Sequence, residues 1–496
     1  MESLPLPEEL LAEIFLRLPT PADLGRASAV SASFRRVASD CSFLRAYRKR
    51  HAPPLLGFLD ALGVFHQAAP PHPSAPAARA VALAADFSFS FLPASARRWA
   101  VQDVRDGRVL LDCCRGRKKG ADDDEWGGIP FISTGETPSG WSPSPFVFTE
   151  MVVCDPLHRR YLLLPPIPND LAAAVEHPLG NRMTTDRWCE AFLVPSNDEE
   201  NETSFRVIWM VQCATKLVAF VFSSSTGQWR AIPSRDWKGF LDSLPSVTSM
   251  GFFSCRQYAY GCFYWLTMLC EKLLVLDTRR MEFSMADRPP VLRNPHFLNV
   301  DIAIGEVGGG ITGMFVLAPD SRHTSDLSYI TRPNNDESSS SQWSQQEKIC
   351  SMGSECMLVG STGRYLFIDH GGRGFLPSDA GISSLDVKTF QHQRVCASEN
   401  GIPQPRAYMN FPPPLSSPRL SSGIEEEILG QGSELLPTEG PKDGNHNDSD
   451  ADDADTGCRE VCRGLEMALI EVILQTSTVE HRLVRHKVPL ALCGHV

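Results

Sequence analysis

Residues 4–24, LPLPEELLAEIFLRLPTPADL, place apolar side chains around most of a helix. At about 100° per residue, Leu10, Ile14, Leu18, Leu11 and Phe15 span an arc of about 140°, and Glu9, Glu13 and Arg17 hold the opposite side. Leu16 and Ala12 widen the apolar surface further. Pro7 with Glu8 and Glu9 behind it predicts the helix start, and Pro19 predicts its end. Thr20 is placed to cap a second helix, with Pro21 as its first residue, Asp23 at capping-box spacing, and Leu24 and Ala27 as its apolar residues. A third helix is predicted from about Ser31, carrying Phe34 and Val37. Residues 1–51 therefore read as a three-helix bundle. A unit of that size buries only about 60% of its chain surface, so its apolar excess needs a cover from elsewhere.

The pattern then changes twice. Residues 52–97, with APPHPSAPAARAVALAA, read as a semi-stiff Ala/Pro connector with at most short ordered pieces. From 98 to 398, short β-branched and aromatic runs are broken by Gly, Pro, Asp and Ser, the signature of many short strands. VCDPLHRRYLLLPP (153–166), VFSSSTGQWRAIP (221–233) and VLDTRRMEFSMADRPP (275–290) share one pattern: an apolar pair, a turn-forming Asp or Ser, and an aromatic six residues on. SLDVKTFQHQRV (384–395) is a weaker copy, and LSYITRPNN with Trp343 reads as the remnant of a unit between. Each unit predicts a strand, a tight turn whose side-chain oxygen bonds the backbone two residues on, and a return strand presenting its aromatic to the core. One hairpin cannot bury its own face, so repeats of roughly 50 residues predict a β-propeller of five or six blades. A β-sandwich pair is the structural alternative. Residues 207–222 (VIWMVQCATKLVAFVF) contain Gln212, Thr215 and Lys216 and predict two strands and a turn rather than a membrane helix.

Residues 399–457 carry twelve acidic against three basic side chains, which accounts for most of the net charge of −12. With PPPLSSP, EEE and DSDADDAD they read as a disordered acidic tract. The rest is near neutral, which argues against nucleic acid as the main ligand. Residues 458–496 read as a short ordered segment with a helical or strand-like apolar run. The fifteen cysteines of this 496-residue chain lack paired spacing, and no signal peptide is recognisable before Leu4. Reduced thiols and a cytoplasmic or nuclear location are expected, with no membrane association.

Motifs that would carry chemistry are weak. GGGITG (308–313) lies between strand-like runs with no helix to receive a phosphate, and reads as a glycine-rich hairpin. The run 448–455 alternates aspartates like a calcium loop but has Asp453 where glycine is needed and Arg459 where glutamate is needed. Cys458, Cys462, His481 and His486 have finger-like pair spacings, but an apolar run separates the pairs, and no metal is assigned. Cys255, Cys262 and Cys270 read as small core residues, and His66, His72, His158 and His296 as exposed and unliganded. The charged stretch 113–125 reads as a solvated loop. Asn201 heads a sequon by letters only. No catalytic residue and no cofactor is assigned.

The order Leu6, Pro7, Glu9, Leu10, Ile14, Leu18, Pro19, Leu24, Val30, Phe34, Arg35, Arg36 resembles the F-box family over residues 4 to about 50. Ser31 stands where that family usually has cysteine, and Phe34 where tryptophan is usual. The resemblance implies that Leu6, Pro7, Leu10, Ile14, Leu18, Pro19, Leu24, Val30 and Phe34 face a Skp-type adaptor and, through it, a cullin-RING scaffold. MVVCDPLHRRYLLLPPIP and KLLVLDTRRMEFS are similar, more loosely, to the propeller-type associated regions of plant F-box proteins. The resemblance implies a substrate-recognition subunit of an SCF-type ubiquitin ligase, without catalytic groups of its own and with an unnamed target protein. The alternative is a propeller-based carbohydrate binder or enzyme with the helices as a self-docked cap, for which Asp236, Asp301 and His370 are scattered candidates. Loop tracts 169–188, 234–250, 291–300 and 370–382 are the expected target contacts.

Overall fold

The computed structural model describes residues 7–18, 21–51, 53–93, 99–113, 148–179, 189–195, 204–233, 236–237, 253–267, 272–289, 302–319, 325–333, 343–344, 347–352, 356–370, 380–398 and 401–409. Two units divide the chain: residues 1–51 with 413–496, and residues 52–412. The acidic runs beyond 409, the segment 458–496, most of 113–125, Asn201, Cys270 and His296 lie outside the described residues.

The described residues of the first unit form four helices rather than three: α1 (Glu8–Phe15), α2 (Pro21–Ser28), α3 (Ala32–Ala38) and α4 (Cys41–Arg50). The expected third helix is split because Asp40 accepts the Phe43 N–H at 3.0 Å and starts α4 afresh. Leu11, Phe15, Leu24, Val37, Phe43 and Tyr47 form the small core. Carbonyls at the end of a helix have no partner in the helix itself. Here the Tyr47 hydroxyl donates to Leu18 O at 3.1 Å, and the His51 ring, stacked on Tyr47, lies 2.9 Å from Leu16 O. Burial first, and then the charge of Asp23, pushes the Tyr47 phenol up to about 12.

The described residues of the second unit form six antiparallel sheets. Four strands in sequence order make each of five: β3 (Trp99–Arg105), β4 (Arg108–Cys113), β5 (Met151–Asp155) and β6 (Arg160–Leu163); β7 (Cys189–Val194), β8 (Arg206–Gln212), β9 (Leu217–Ser223) and β10 (Gln228–Ile232); β11 (Phe253–Ala259), β12 (Cys262–Thr267), β13 (Lys272–Asp277) and β14 (Glu282–Asp287); β15 (Ile302–Gly308), β16 (Ile311–Pro319), β17 (Ser325–Pro333) and β18 (Glu347–Met352); β19 (Met357–Thr362), β20 (Tyr365–Asp369), β21 (Gly381–Asp386) and β22 (His392–Ala397). The sixth joins the two ends of the unit. β1 (Leu55–Leu59) pairs on one side with β2 (Phe65–Gln67) and on the other with β23 (Arg406–Met409).

Apolar clusters between sheets make the ring. One joins the second and third sheets, one the third and fourth, and one the fourth and fifth. A further cluster joins the first, fifth and sixth, from Leu56, Phe58 and Tyr408 to Val109, Phe367 and Val395. Between the first and second sheets, Trp229 Nε1 donates to Pro165 O at 2.8 Å and an Arg108 guanidinium N–H to Ser204 O at 3.0 Å. Each sheet is thus covered by its neighbours, as a six-bladed propeller requires.

Two expected boundaries are corrected. Residues 52–97 are no connector: they carry β1, β2 and the helix α5 (Ala75–Ala84). All of β1 is buried, so it lacks the alternation that marks a half-exposed strand. Pro76 sits in the first turn of α5, where proline suits a helix, and alanine is the best helix former. The β domain likewise runs past 398, because β23 lies inside the tract read as disordered.

The repeat turns are as the side chains dictate. Asp155 Oδ1 accepts the N–H groups of Leu157 and His158, Asp277 those of Arg279 and Arg280, and Asp386 those of Lys388 and Thr389, all at 2.8–3.2 Å. Four residues on, Arg159, Met281 and Phe390 take positive φ, as Gly227 does after Ser223. Ser223 departs: its hydroxyl meets the Ser225 hydroxyl and its carbonyl receives Gly227 N–H. Trp229 and Phe283 are buried as expected, whereas Tyr161 is 37% exposed on the outermost strand β6. The remnant unit falls on β17, with Trp343 just ahead of β18. GGGITG is a hairpin between β15 and β16, with Gly308, Gly309 and Gly310 all at positive φ. At Gly381 a Cβ would sit 2.2 Å from Cys396 O, so the close approach of β22 requires glycine.

Three histidines are not free surface groups. His72 is buried and its Nδ1 accepts Ser74 N–H at 3.2 Å; His158 Nδ1 lies 2.6 Å from Asp155 Oδ2; His66 Nε2 lies 3.2 Å from Asp60 Oδ2. Burial lowers the His72 and His392 rings from the ordinary 6.5. The fold favours their neutral forms, so their contribution is full above 6.5 and is lost as the pH falls below it. Thermal scans between about pH 7.5 and about pH 5 should show a falling melting temperature, with a shallower slope in His72→Asn. An unchanged slope in that variant would remove His72 from the account.

Candidate functional site

On α1, two stripes one residue apart have opposite fates. Leu11 and Phe15 are buried at 4% each, while Leu10 and Ile14 stand 48% and 45% exposed. Residues four apart share a helix face, so the second stripe is a continuous apolar ridge that no other described residue covers. Val30, after α2, is 72% exposed. Pro7 is exposed at the helix start, where its carbonyl accepts the Leu10 and Leu11 N–H groups.

Other expected contact residues lie deeper. Leu24 is 7% exposed and belongs to the core of the helical unit, so it supports the face from inside. Leu18 and Phe34 are part-buried against that core, Phe34 edge-on to Phe15 with centroids 5.2 Å apart. Leu6 and Pro19 lie outside the described residues. Glu8 and Arg36 form an ion pair that ties the start of α1 to α3. Ser31 caps α3, its hydroxyl accepting Phe34 N–H at 3.2 Å. Ser31→Ala should cost about 1 kcal/mol of stability in a denaturant titration, and a neutral result would show that the cap is dispensable. What sequence reasoning missed is α4. The spacing of Asp40, Phe43 and Tyr47, a cap followed by a core-facing stripe, was the signal that could have found it.

The propeller has an asymmetric pair of faces. The first strands of the sheets are those that meet their neighbours, so they are innermost. Strands alternate in direction, so first-to-second and third-to-fourth connections emerge on one face and the remaining connections on the other. On the first face most connections are as short as 106–107, 260–261, 309–310 and 363–364, with 195–205 and 334–346 longer; on the second, besides short ones such as 213–216 and 268–271, five span 114–150, 164–188, 233–252, 288–301 and 370–380. Long loops on a rigid scaffold are where binding residues concentrate. The expected contact tracts all belong to this second face, which also carries α6 (Asn169–Ala172); most of their length lies outside the described residues.

Of the scattered candidates for chemistry, Asp236 and His370 are described, and each has its own local contacts. Asp236 forms an isolated bridge with Lys216, and His370 contacts Cys356 Sγ through Nδ1 at 3.2 Å and the Ser383 hydroxyl through Nε2. Asp301 is outside the described residues. Burial pushes the Cys356 thiol up to about 11, so this Cys–His pair holds no thiolate near neutrality. Among the described residues, no group of three His, Cys, Asp or Glu is placed to hold a metal, and no helix is long and apolar enough to cross a membrane. Cys113, Cys154, Cys213, Cys350, Cys356 and Cys396 are not in disulfides.

Residues 4–49 match the F-box-like family. No curated protein matches the chain. Solved structures with some likeness include Sqt1 of Saccharomyces cerevisiae, 11% identical over 60% of this chain and 71% of that one, with a TM-score of 0.29. A mutant NanB sialidase of Streptococcus pneumoniae is 9% identical over 63% of this chain and 62% of that one, at 0.26. A bifunctional GH43-CE protein of Bacteroides eggerthii is 9% identical over 67% of this chain and 38% of that one, at 0.25. Such scores carry no argument, and the blade count rests on strand order and inter-sheet packing. The chain thus carries an F-box-like domain at residues 4–49, followed by a six-bladed β-propeller.

Proposed function

We propose that this chain is the substrate-recognition subunit of an SCF-type cullin-RING ubiquitin ligase. Its helices bind a Skp-type adaptor through Leu6, Pro7, Leu10, Ile14, Leu18, Pro19, Val30 and Phe34, with Leu24 supporting them from the core. The long-loop face of the propeller binds the target protein. The chain contributes no reactive group: it holds the target near the ligase machinery and so raises its effective concentration there. It works without cofactor, nucleic acid or membrane, in the cytoplasm or nucleus. The observation that carries this reading is the exposed Leu10–Ile14 ridge within a segment that matches the F-box-like family.

Affinity purification from cells tests it. The intact chain should recover a Skp-type adaptor together with a cullin, and a chain lacking residues 1–51 should recover neither. Equal recovery by both would end the proposal.

A further inference from the structure

Four innermost strands bring charged side chains together at the propeller axis. Arg256 of β11 bridges two carboxylates, Asp103 of β3 at 3.2 Å and Glu190 of β7 at 2.8 Å. The second oxygen of each carboxylate is also engaged: Asp103 Oδ2 accepts Leu193 N–H at 2.9 Å, and Glu190 Oε1 accepts the Trp265 indole N–H. Arg406, the first residue of β23, lies within electrostatic reach of Asp103, Arg256 and Glu190. Its Nε is buried with no hydrogen-bond partner among the described residues, while the residue as a whole stays part-exposed.

An arginine stays charged in a protein and carries five donors in a rigid fork that matches a carboxylate. Buried donors of this kind are nearly always paired, so the unpartnered Arg406 Nε beside two carboxylates already engaged by Arg256 marks a place for a further acceptor. Arg406 opens β23 and Glu190 is the second residue of β7, which sets both at the strand ends reached by the long connections. Arg105, near the opposite face, also has a buried Nε without a hydrogen-bond partner among the described residues, but its guanidinium lies over the Tyr258 ring, 4.9 Å from the centroid. We propose that Arg406 receives one carboxylate at the long-loop mouth of the propeller axis, presented by an acidic side chain of a bound peptide. A monoanion suits the site better than a phosphate dianion, because Asp103 and Glu190 already place two negative charges beside it. Only the peptide source rests on the ligase reading; the carboxylate site itself does not.

Intact chain is titrated with N-acetylglutamate methylamide, its uncharged glutamine analogue and inorganic phosphate at fixed ionic strength, reading tryptophan fluorescence and melting temperature. The carboxylate should saturate in the millimolar range and the glutamine analogue should not bind. A peptide library with a central Glu should bind about tenfold more tightly than the small acid, and one with a central Gln should be lost. Arg406→Gln should weaken carboxylate binding about tenfold, whereas Glu190→Gln, which removes a repelling neighbour, should strengthen it several-fold. Opposite signs separate a ligand site from a structural cluster, and Glu190→Gln carries the test by itself if Arg406→Gln does not fold. Absence of saturable binding, loss of affinity in Glu190→Gln, or indifference to Arg406→Gln in a folded variant would overturn the site. Tighter binding of phosphate would overturn the monoanion preference, and a small acid as tight as the peptides would overturn the peptide source. No adaptor enters the experiment, so its failure leaves the ligase reading standing.

Discussion

Leu10→Asp with Ile14→Asp should weaken adaptor binding about a thousandfold while leaving the helices folded. Both side chains stand about half exposed, and the core of the helical unit is held instead by Leu11, Phe15, Leu24, Val37, Phe43 and Tyr47. Central apolar anchors of an interface cost about 2 kcal/mol or more each when lost, so the pair should weaken binding about a thousandfold. Leu18→Asp is a poorer probe, because Leu18 packs on the core and its carbonyl accepts the Tyr47 hydroxyl. Circular dichroism would establish that the double variant keeps its helices. Adaptor binding at wild-type strength in that folded variant would rule out the ridge as the contact.

Tyr408→Ala should be the most damaging single change to the propeller. Tyr408 is 1% exposed, its ring packs edge-on against Phe65 at 5.5 Å and Phe87 at 5.3 Å, and its hydroxyl donates to Gly107 O at 3.1 Å. It therefore fastens the last strand of the unit to its beginning and to the β3–β4 turn. Truncating a buried aromatic costs about 4 kcal/mol, whereas Tyr408→Phe, which loses only the hydrogen bond, should cost about 1 kcal/mol. Denaturant midpoints of the intact chain would read both. A Tyr408→Ala midpoint matching the wild type would mean that the ring does not depend on this closure.

The parts legible in the sequence are those written in local spacing. The ridge of α1 follows from side chains four apart, and the propeller turns follow from an Asp whose carboxylate reaches the next two or three N–H groups. What escaped was non-local. β1 pairs with β23 in register Leu59 with Arg406, across nearly the whole propeller sequence, and neither strand alternates in a way that announces it. The same holds for the axis: Asp103, Glu190, Arg256 and Arg406 look like ordinary strand charges until four sheets converge. Leu24 shows the limit on the helical side, since an apolar residue placed by a motif faced the core and only burial could separate it from Leu10 and Ile14.

The proposed function requires that another protein cover the exposed ridge of α1. Its most direct test is an equilibrium titration of the intact chain with a purified Skp-type adaptor. One adaptor per chain, with a dissociation constant on the order of 10 nM, is the predicted result. No detectable complex at adaptor concentrations of about 100 µM would contradict it.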